Sequence, residues 1–291
     1  VIFVFVLFPA KYAASFLQGL QLWVMNVVPT LFPFFVLSAL LIRLGWVTKC
    51  ERTLRPALRF LFCAPPCGGY VFLLSVLSGY PVGAKLIQTL HRDGKLSRTQ
   101  CLKLTTFCST SGPLFLLGTV GAGFFRSSLC GWLLFGSHLA AALLNGLLYR
   151  NRFLDDAPTV LNDNRRETLN DILFSSVVSI LCVGACIALF YLLADVLLSR
   201  MPFSQPVLSV LHSLLEVTRG CSEISAAFPV RMALILSSFT ISFGGGCILL
   251  QSFAYLADCG IKFTQLLEIK LTHALLSAGC TSLLLLLVPA F

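Results

Sequence analysis

Apolar residues run along this chain in long blocks, and polar positions gather between them. The segments 28–42, 128–148, 173–198 and 271–291 are nearly free of charge. Several approach the ~20 residues an α-helix needs to cross about 30 Å of hydrocarbon. Two further apolar segments are broken by glycine: SVLSGYPVGAKL (75–86) and FTISFGGGCILL (239–250). In a bilayer each unpaired backbone group costs several kcal/mol, so an opened helix survives only where protein or a wet cavity covers it. Interruptions at corresponding places in two halves point to the binding site of a transporter. The predicted fold class is therefore an all-α polytopic membrane protein.

Sliding the chain against itself pairs residues 16–41 with 169–191, and 77–104 with 241–271. This divides the chain into a first repeat over 1–149, a linker over 150–168 and a second repeat over 169–291. The expectation is an inverted-topology repeat with two re-entrant helical hairpins, at 75–90 and 228–257, and interfacial amphipathic helices. The opening VIFVFVLFPA is read as the tail of a first helix, since it lacks the basic start and cleavage site of a signal peptide. The linker YRNRFLDDAPTVLNDNRRETLND is polar and reads as a surface connection.

Charge supports a sidedness. Arg43, Lys49, Arg52, Arg55, Arg59, Arg92, Lys95, Arg98 and Lys103 fall in stretches predicted as loops on one face, joined there by Arg150, Arg152, Arg165 and Arg166 of the linker. Those nine and four make 13 of the 21 basic residues, and the positive-inside rule makes that face cytoplasmic. The stretches 199–230 and 256–268, expected on the opposite face, hold Arg200, Glu216, Arg219, Glu223, Asp258, Lys262 and Glu268 with no basic excess.

Composition agrees. Of 291 residues 57% are hydrophobic and 11% charged, with a mean hydropathy of +0.89, against about 25% charged in soluble domains. The formal charge of +9 lies between apolar spans, which argues for membrane orientation and against nucleic acid. The twelve cysteines form no CxxC pair and the four histidines show no ligand spacing, so neither a metal nor a disulfide framework is predicted. HExxH, a glycine-rich strand–helix turn, a phosphate-binding GK[ST] and a Ser-His-Asp arrangement are all missing from the sequence. No enzymatic activity and no cofactor is expected.

Candidate chemistry concentrates at the breaks. Pro81 removes a donor and disfavours helix at Tyr80, while Gly79 and Gly83 permit a tight turn. A half-helix starting there directs N–H groups and a positive dipole end into the break, which favours anions. Lys85 lies one turn on, as a buried cation or as a side chain snorkelling to the interface. The second break offers Ser242, Gly244, Gly245 and Gly246, with Gln251 beyond; close helix packing is the alternative for the glycines. In CSTSGP (108–113), Pro113 predicts unwinding over Ser109, Thr110, Ser111 and Gly112. Its mate in the second half offers Thr272 and Ser277. Glu216 is placed to pair with Lys85 or Arg231, to take part in proton coupling, or to act as an ordinary interfacial carboxylate.

The combination of VVPTLFPFFVLSALL, LSGYPVGAKL, FCSTSGPLFLLGTVG, LLEVTRG and SFGGGCILLQ resembles the YlbJ family of sporulation integral membrane proteins, also called stage V sporulation protein V. The resemblance spans nearly the whole chain. It implies a nucleoside recognition or gate domain, distantly similar to concentrative nucleoside transporters. It also implies movement of dipicolinic acid from mother cell to forespore across the outer forespore membrane. Carried over by position, the substrate region is Ser78 to Gly83, Ser109 to Gly112, Ser242 to Gly246 and Gln251. The expected partners are the bilayer, a small anion, and a coupling ion, H+ or Na+; a homo-oligomer is compatible with the same reading. Transport of nucleosides or other small metabolites, and a non-transporting scaffold or receptor, are the alternatives.

Overall fold

The computed structural model describes residues 9–44, 46–154, 168–199 and 201–287. The expectations placed on residues 1–8, on most of the linker including Arg165 and Arg166, and on Arg200 lie outside them. No strand occurs among the described residues. The first half comprises α1 (Pro9–Leu22), a π-type turn (Trp23–Val27), α2 (Val28–Arg43), α3 (Trp46–Phe62), α4 (Gly68–Ser78), α5 (Val82–Arg92), α6 (Arg98–Thr105), a π-helical segment (Phe115–Phe124) and α7 (Ser128–Leu148). The second comprises α8 (Leu169–Leu198), α9 (Gln205–Leu215), α10 (Val217–Ala227), α11 (Val230–Phe243), α12 (Gly245–Leu256), a 3-10 turn (Ala257–Cys259) and α13 (Phe263–Leu287).

Local sequence sets many of these limits. Ser97 and Gln100 form a capping box at the start of α6, and Thr168 and Asp171 form another at the start of α8. Pro206 occupies the first turn of α9, where its missing N–H costs nothing. Within the described residues four stretches are long and apolar enough to cross a membrane: Ser128–Leu148, Leu169–Leu198, Val230–Cys259 and Phe263–Leu287. Pro9–Val27 and Leu31–Leu37, bent by 57°, make a fifth if taken together. On α8 the exposed Phe174, Leu181 and Leu189 form the apolar surface a lipid-facing helix needs.

Several stretches expected as loops are helices. Residues 46–62 form α3, with Leu58 and Phe62 buried and Arg52, Arg55 and Arg59 exposed. The run 199–230 holds α9 and α10. Lys103, counted among solvated loop charges, is 1% exposed; its ammonium donates to the carbonyls of Tyr149 and Arg150, both at 2.7 Å. It thereby satisfies carbonyls at the end of α7, which a helix of its own cannot do.

The chain folds back on itself twice. At Gly79–Pro81, α4 turns into α5, and Gly83 lies against Ser75. At Glu216, α9 turns into α10, and Gly220 lies against Ser213. The second segment expected as a hairpin, 228–257, instead forms α11 and α12, which with the 3-10 turn make up one of the four apolar stretches, Val230–Cys259. The sidedness of 256–268 is corrected with it. Asp258 pairs with Arg92, and Glu268 with Arg152, so this stretch lies beside the basic face of the first half, not opposite it. The expected pairing of 77–104 with 241–271 matched glycines, whereas the fold-backs are α4–α5 and α9–α10.

Two apolar clusters hold the helices. One gathers Phe62, Val71, Ile87, Leu104, Phe107 and Leu266, with the rings of Phe62 and Phe107 stacked at 4.9 Å. The other gathers Val27, Leu31, Leu116, Leu134, Ile187 and Leu234. The candidate site borders the second.

Candidate functional site

Each fold-back packs against a helix break. Ser109–Gly112 is non-helical, as Pro113 predicts. The Ser75 hydroxyl reaches the Cys108 carbonyl and lies 2.9 Å from Thr110 Oγ1. Gly79, with φ 73°, lies backbone to backbone with Gly112: a Cβ on Gly79 would sit 2.5 Å from the Gly112 nitrogen. In the second half Gly244 adopts a left-handed φ of 91° between α11 and α12. A Cβ on the next residue, Gly245, would lie 3.1 Å and 3.2 Å from the carbonyl oxygens of Ser213 and Leu215 in the second fold-back. In each half, then, a fold-back lies against a helix break.

The two tips, the first break and residues flanking the second line one cavity with about 570 Å³ of atom-free space, part of it open to the outside. The first tip contributes Ser78, Gly79 and Tyr80, and the first break Ser111 and Gly112; the second tip contributes Glu216, Val217 and Thr218. Around the second break the lining comes from Ile241, Cys247, Ile248 and Gln251. Of the neighbouring elements, the π-helical segment and α10 begin at residues of this lining, Phe115 and Val217. Helix starts present N–H groups and partial positive charge. At α10 this charge is already met: both carboxylate oxygens of buried Glu216 accept, from Thr218 N at 3.0 Å and Arg219 N at 2.7 Å. Glu216 is the N-cap of α10, while Arg231, its suggested partner, is exposed near the start of α11.

Two buried side chains tie the halves together behind the cavity. His138 of α7 accepts from Ser111 N–H through Nε2 at 2.9 Å and meets the Ser242 hydroxyl through Nδ1 at 2.7 Å. Since Nε2 accepts, the ring of a neutral His138 carries its proton on Nδ1 and donates it to Ser242. Lys270 of α13 donates from Nζ to the Tyr80 hydroxyl at 2.5 Å and to the Ser109 carbonyl at 3.3 Å. Its Cε lies 3.8 Å from where a Cβ on Gly244 would stand. Each tie joins the first fold-back or break to the second break.

Of the residues singled out from the sequence, Ser78, Gly79, Tyr80, Ser111, Gly112, Glu216 and Gln251 line the cavity. Ser242 and Gly244–Gly246 lie at the adjoining break, outside the lining, as do Pro81, Gly83, Ser109 and Thr110. Lys85 is half-buried on α5 and is not part of the lining. Thr272 and Ser277 belong to polar contacts between α13 and its neighbours: Thr272 donates to Asn145 at 2.8 Å, and Ser277 lies 2.7 Å from Ser238. Sequence reasoning missed Lys270 and His138. Their signal is a cation in IKLTHALL and an imidazole in SHLAAALLN, both inside otherwise apolar segments, where ionisable residues are costly and usually functional.

Comparison with known proteins places this architecture. No family model matches the chain, and no solved structure does. The sporulation integral membrane protein YlbJ of Bacillus subtilis (strain 168) is 30% identical over 309 aligned residues, covering 91% of this chain and 76% of that protein. At that identity and coverage, with four membrane-capable stretches among the described residues, the chain belongs to the YlbJ family of sporulation integral membrane proteins.

Proposed function

We propose that the chain is a membrane carrier for a small anionic metabolite, and that the cargo is dipicolinate, moved from mother cell to forespore across the outer forespore membrane. The observation that carries this reading is a cavity lined by both fold-back tips, by the first helix break and by the residues that flank the second. Opened backbone at membrane depth is tolerated where it lines such a space. The first break and the start of the π-helical segment present backbone to the cavity, and a buried lysine donates to Tyr80 of its lining. Those groups suit the carboxylates of a small rigid dianion.

In this reading α4–α5 and α9–α10 are re-entrant hairpins, and the two halves are inverted repeats in that register. Alternating access is then rocking or elevator-like movement of the hairpin-bearing elements against the long spans. Glu216, the one carboxylate in the lining, is the place for a coupling H+ or Na+. The test is flux: purified protein in liposomes is expected to accumulate labelled dipicolinate under an imposed proton or sodium gradient. Absence of movement under either gradient defeats the carrier reading and leaves a membrane scaffold or receptor.

A further inference from the structure

Lys270 is 1% exposed, and no carboxylate lies within ion-pair distance of it among the described residues. The nearest acid along α13, Glu268, is engaged by Arg152. Besides Tyr80, the titratable groups around it are the imidazoles of His138 and His273, tilted against each other with centroids 4.8 Å apart, which supply no negative charge. A cation so deeply buried is strongly unfavourable without a partner, so the ammonium form of Lys270 is the one that an anion bound nearby stabilises. What it has instead is Tyr80: Nζ donates to the hydroxyl and lies 4.3 Å from the ring centroid.

A lysine ammonium donates and does not accept, whereas a phenol does both. With its oxygen accepting from Lys270, Tyr80 keeps its own O–H proton for another acceptor, and none is found among the described residues. Tyr80 lines the cavity, and Lys270 does not. A hydrogen bond into a hydroxyl strengthens the bond that hydroxyl donates onward.

We propose that Tyr80, polarised by Lys270, is the donor that recognises a carboxylate of the cargo. This rests on the reading of the cavity as the cargo site. It makes charge the quantity selected: an anion one hydroxyl away offsets the buried cation, and a neutral isostere does not. Lys270 acts through Tyr80 and is a positioning residue. Lys85 has no part in this recognition.

The experiment is calorimetric titration of the full purified chain with dipicolinate, with small aromatic mono- and dicarboxylates, and with the neutral diamide of dipicolinate. The wild type is expected to prefer the dicarboxylate to the diamide. Tyr80→Phe should lose on the order of tenfold in carboxylate affinity while diamide affinity stays unchanged. Lys270→Met should do the same, and Lys270→Arg should recover part of the loss. If Lys270→Met does not fold, Tyr80→Phe, which removes a single oxygen, decides alone. Wild-type carboxylate affinity in Tyr80→Phe, equal losses for carboxylate and diamide, or no carboxylate binding to the wild type each overturn the assignment. A wild type that binds dipicolinate and moves none sinks the carrier reading and leaves this one standing.

Discussion

Gly220 lies so close to Ser213 that a Cβ added to it would fall 2.1 Å from the Ser213 Cα. The first fold-back has a similar contact, with a Cβ on Gly83 falling 2.1 Å from the Cys108 carbonyl oxygen and 2.8 Å from the Ser75 hydroxyl. In both cases the nearest obstacle is backbone, which cannot rotate away. Gly220→Ala and Gly83→Ala are expected to destabilise by about 1–3 kcal/mol or more, as overpacking does. Gly279→Ala, where nothing lies within 4 Å, is the neutral control. Thermal unfolding in detergent checks this, and melting of Gly220→Ala at the wild-type temperature would refute the close approach.

His138 holds Ser111 and Ser242 through its two ring nitrogens. His138→Leu removes both partners and strands the buried Ser111 N–H, at a cost of about 1–3 kcal/mol for the unsatisfied group. Ser242→Ala removes one contact and should cost about 1 kcal/mol. Equal melting temperatures for His138→Leu and Ser242→Ala would show that the Ser111 bond contributes nothing.

These ties show where sequence stopped being informative. The membrane class, three of the long spans (Ser128–Leu148, Leu169–Leu198 and Phe263–Leu287), the break at Gly79–Pro81 and the unwinding at Ser109–Gly112 follow from local chemistry, because apolar runs, proline and glycine act where they stand. The second fold-back has no glycine or proline at its tip. Glu216 makes the turn with extended backbone (φ −135°, ψ 114°) and caps the helix that follows. A search guided by glycine therefore paired the first fold-back with Gly244–Gly246, which instead lies against the second fold-back at Ser213 and Leu215. Lys270 was hidden for a related reason. Three residues before His273 and close to the polar start of α13, it reads as interfacial until the fold brings Tyr80 and Ser109 over it.

Glu216 gives a graded test of that turn. Glu216→Ala leaves the N–H groups of Thr218 and Arg219 without their acceptor and should cost about 1–2 kcal/mol, the usual loss of an N-cap. Glu216→Gln keeps one acceptor oxygen for two donors, so its loss should be smaller. Urea-free thermal melts rank the variants. Glu216→Ala matching the wild type would mean that the cap does not hold the fold-back.

Lys85 and Lys270 separate the sequence expectation from the geometry. Lys85 is half-buried on α5 and outside the cavity lining. Lys85→Met should change stability by about 0.5 kcal/mol or less, as surface substitutions away from specific contacts do, and leave uptake of any anionic cargo unchanged. Loss of uptake in a stable, inserted Lys85→Met protein would return the counter-cation role to the first hairpin.

The proposed register of the two halves is testable by labelling. The 30 residues of α8 are apolar enough to cross a membrane once, so exposed Asn151 and Ser204 should lie on opposite sides. The ion pairs of Arg92 with Asp258 and of Arg152 with Glu268 hold 256–268 next to the basic face. Lys262, exposed between them, should therefore share a side with Asn151. In a cysteine-free background, Asn151→Cys and Lys262→Cys should react with an impermeant maleimide from the cytoplasmic side, where basic loops are retained. Ser204→Cys should react only from the other. Glycine matching across 228–257 places Lys262 with Ser204, so the side on which Lys262→Cys reacts decides between a second fold-back at Glu216 and one at Gly244.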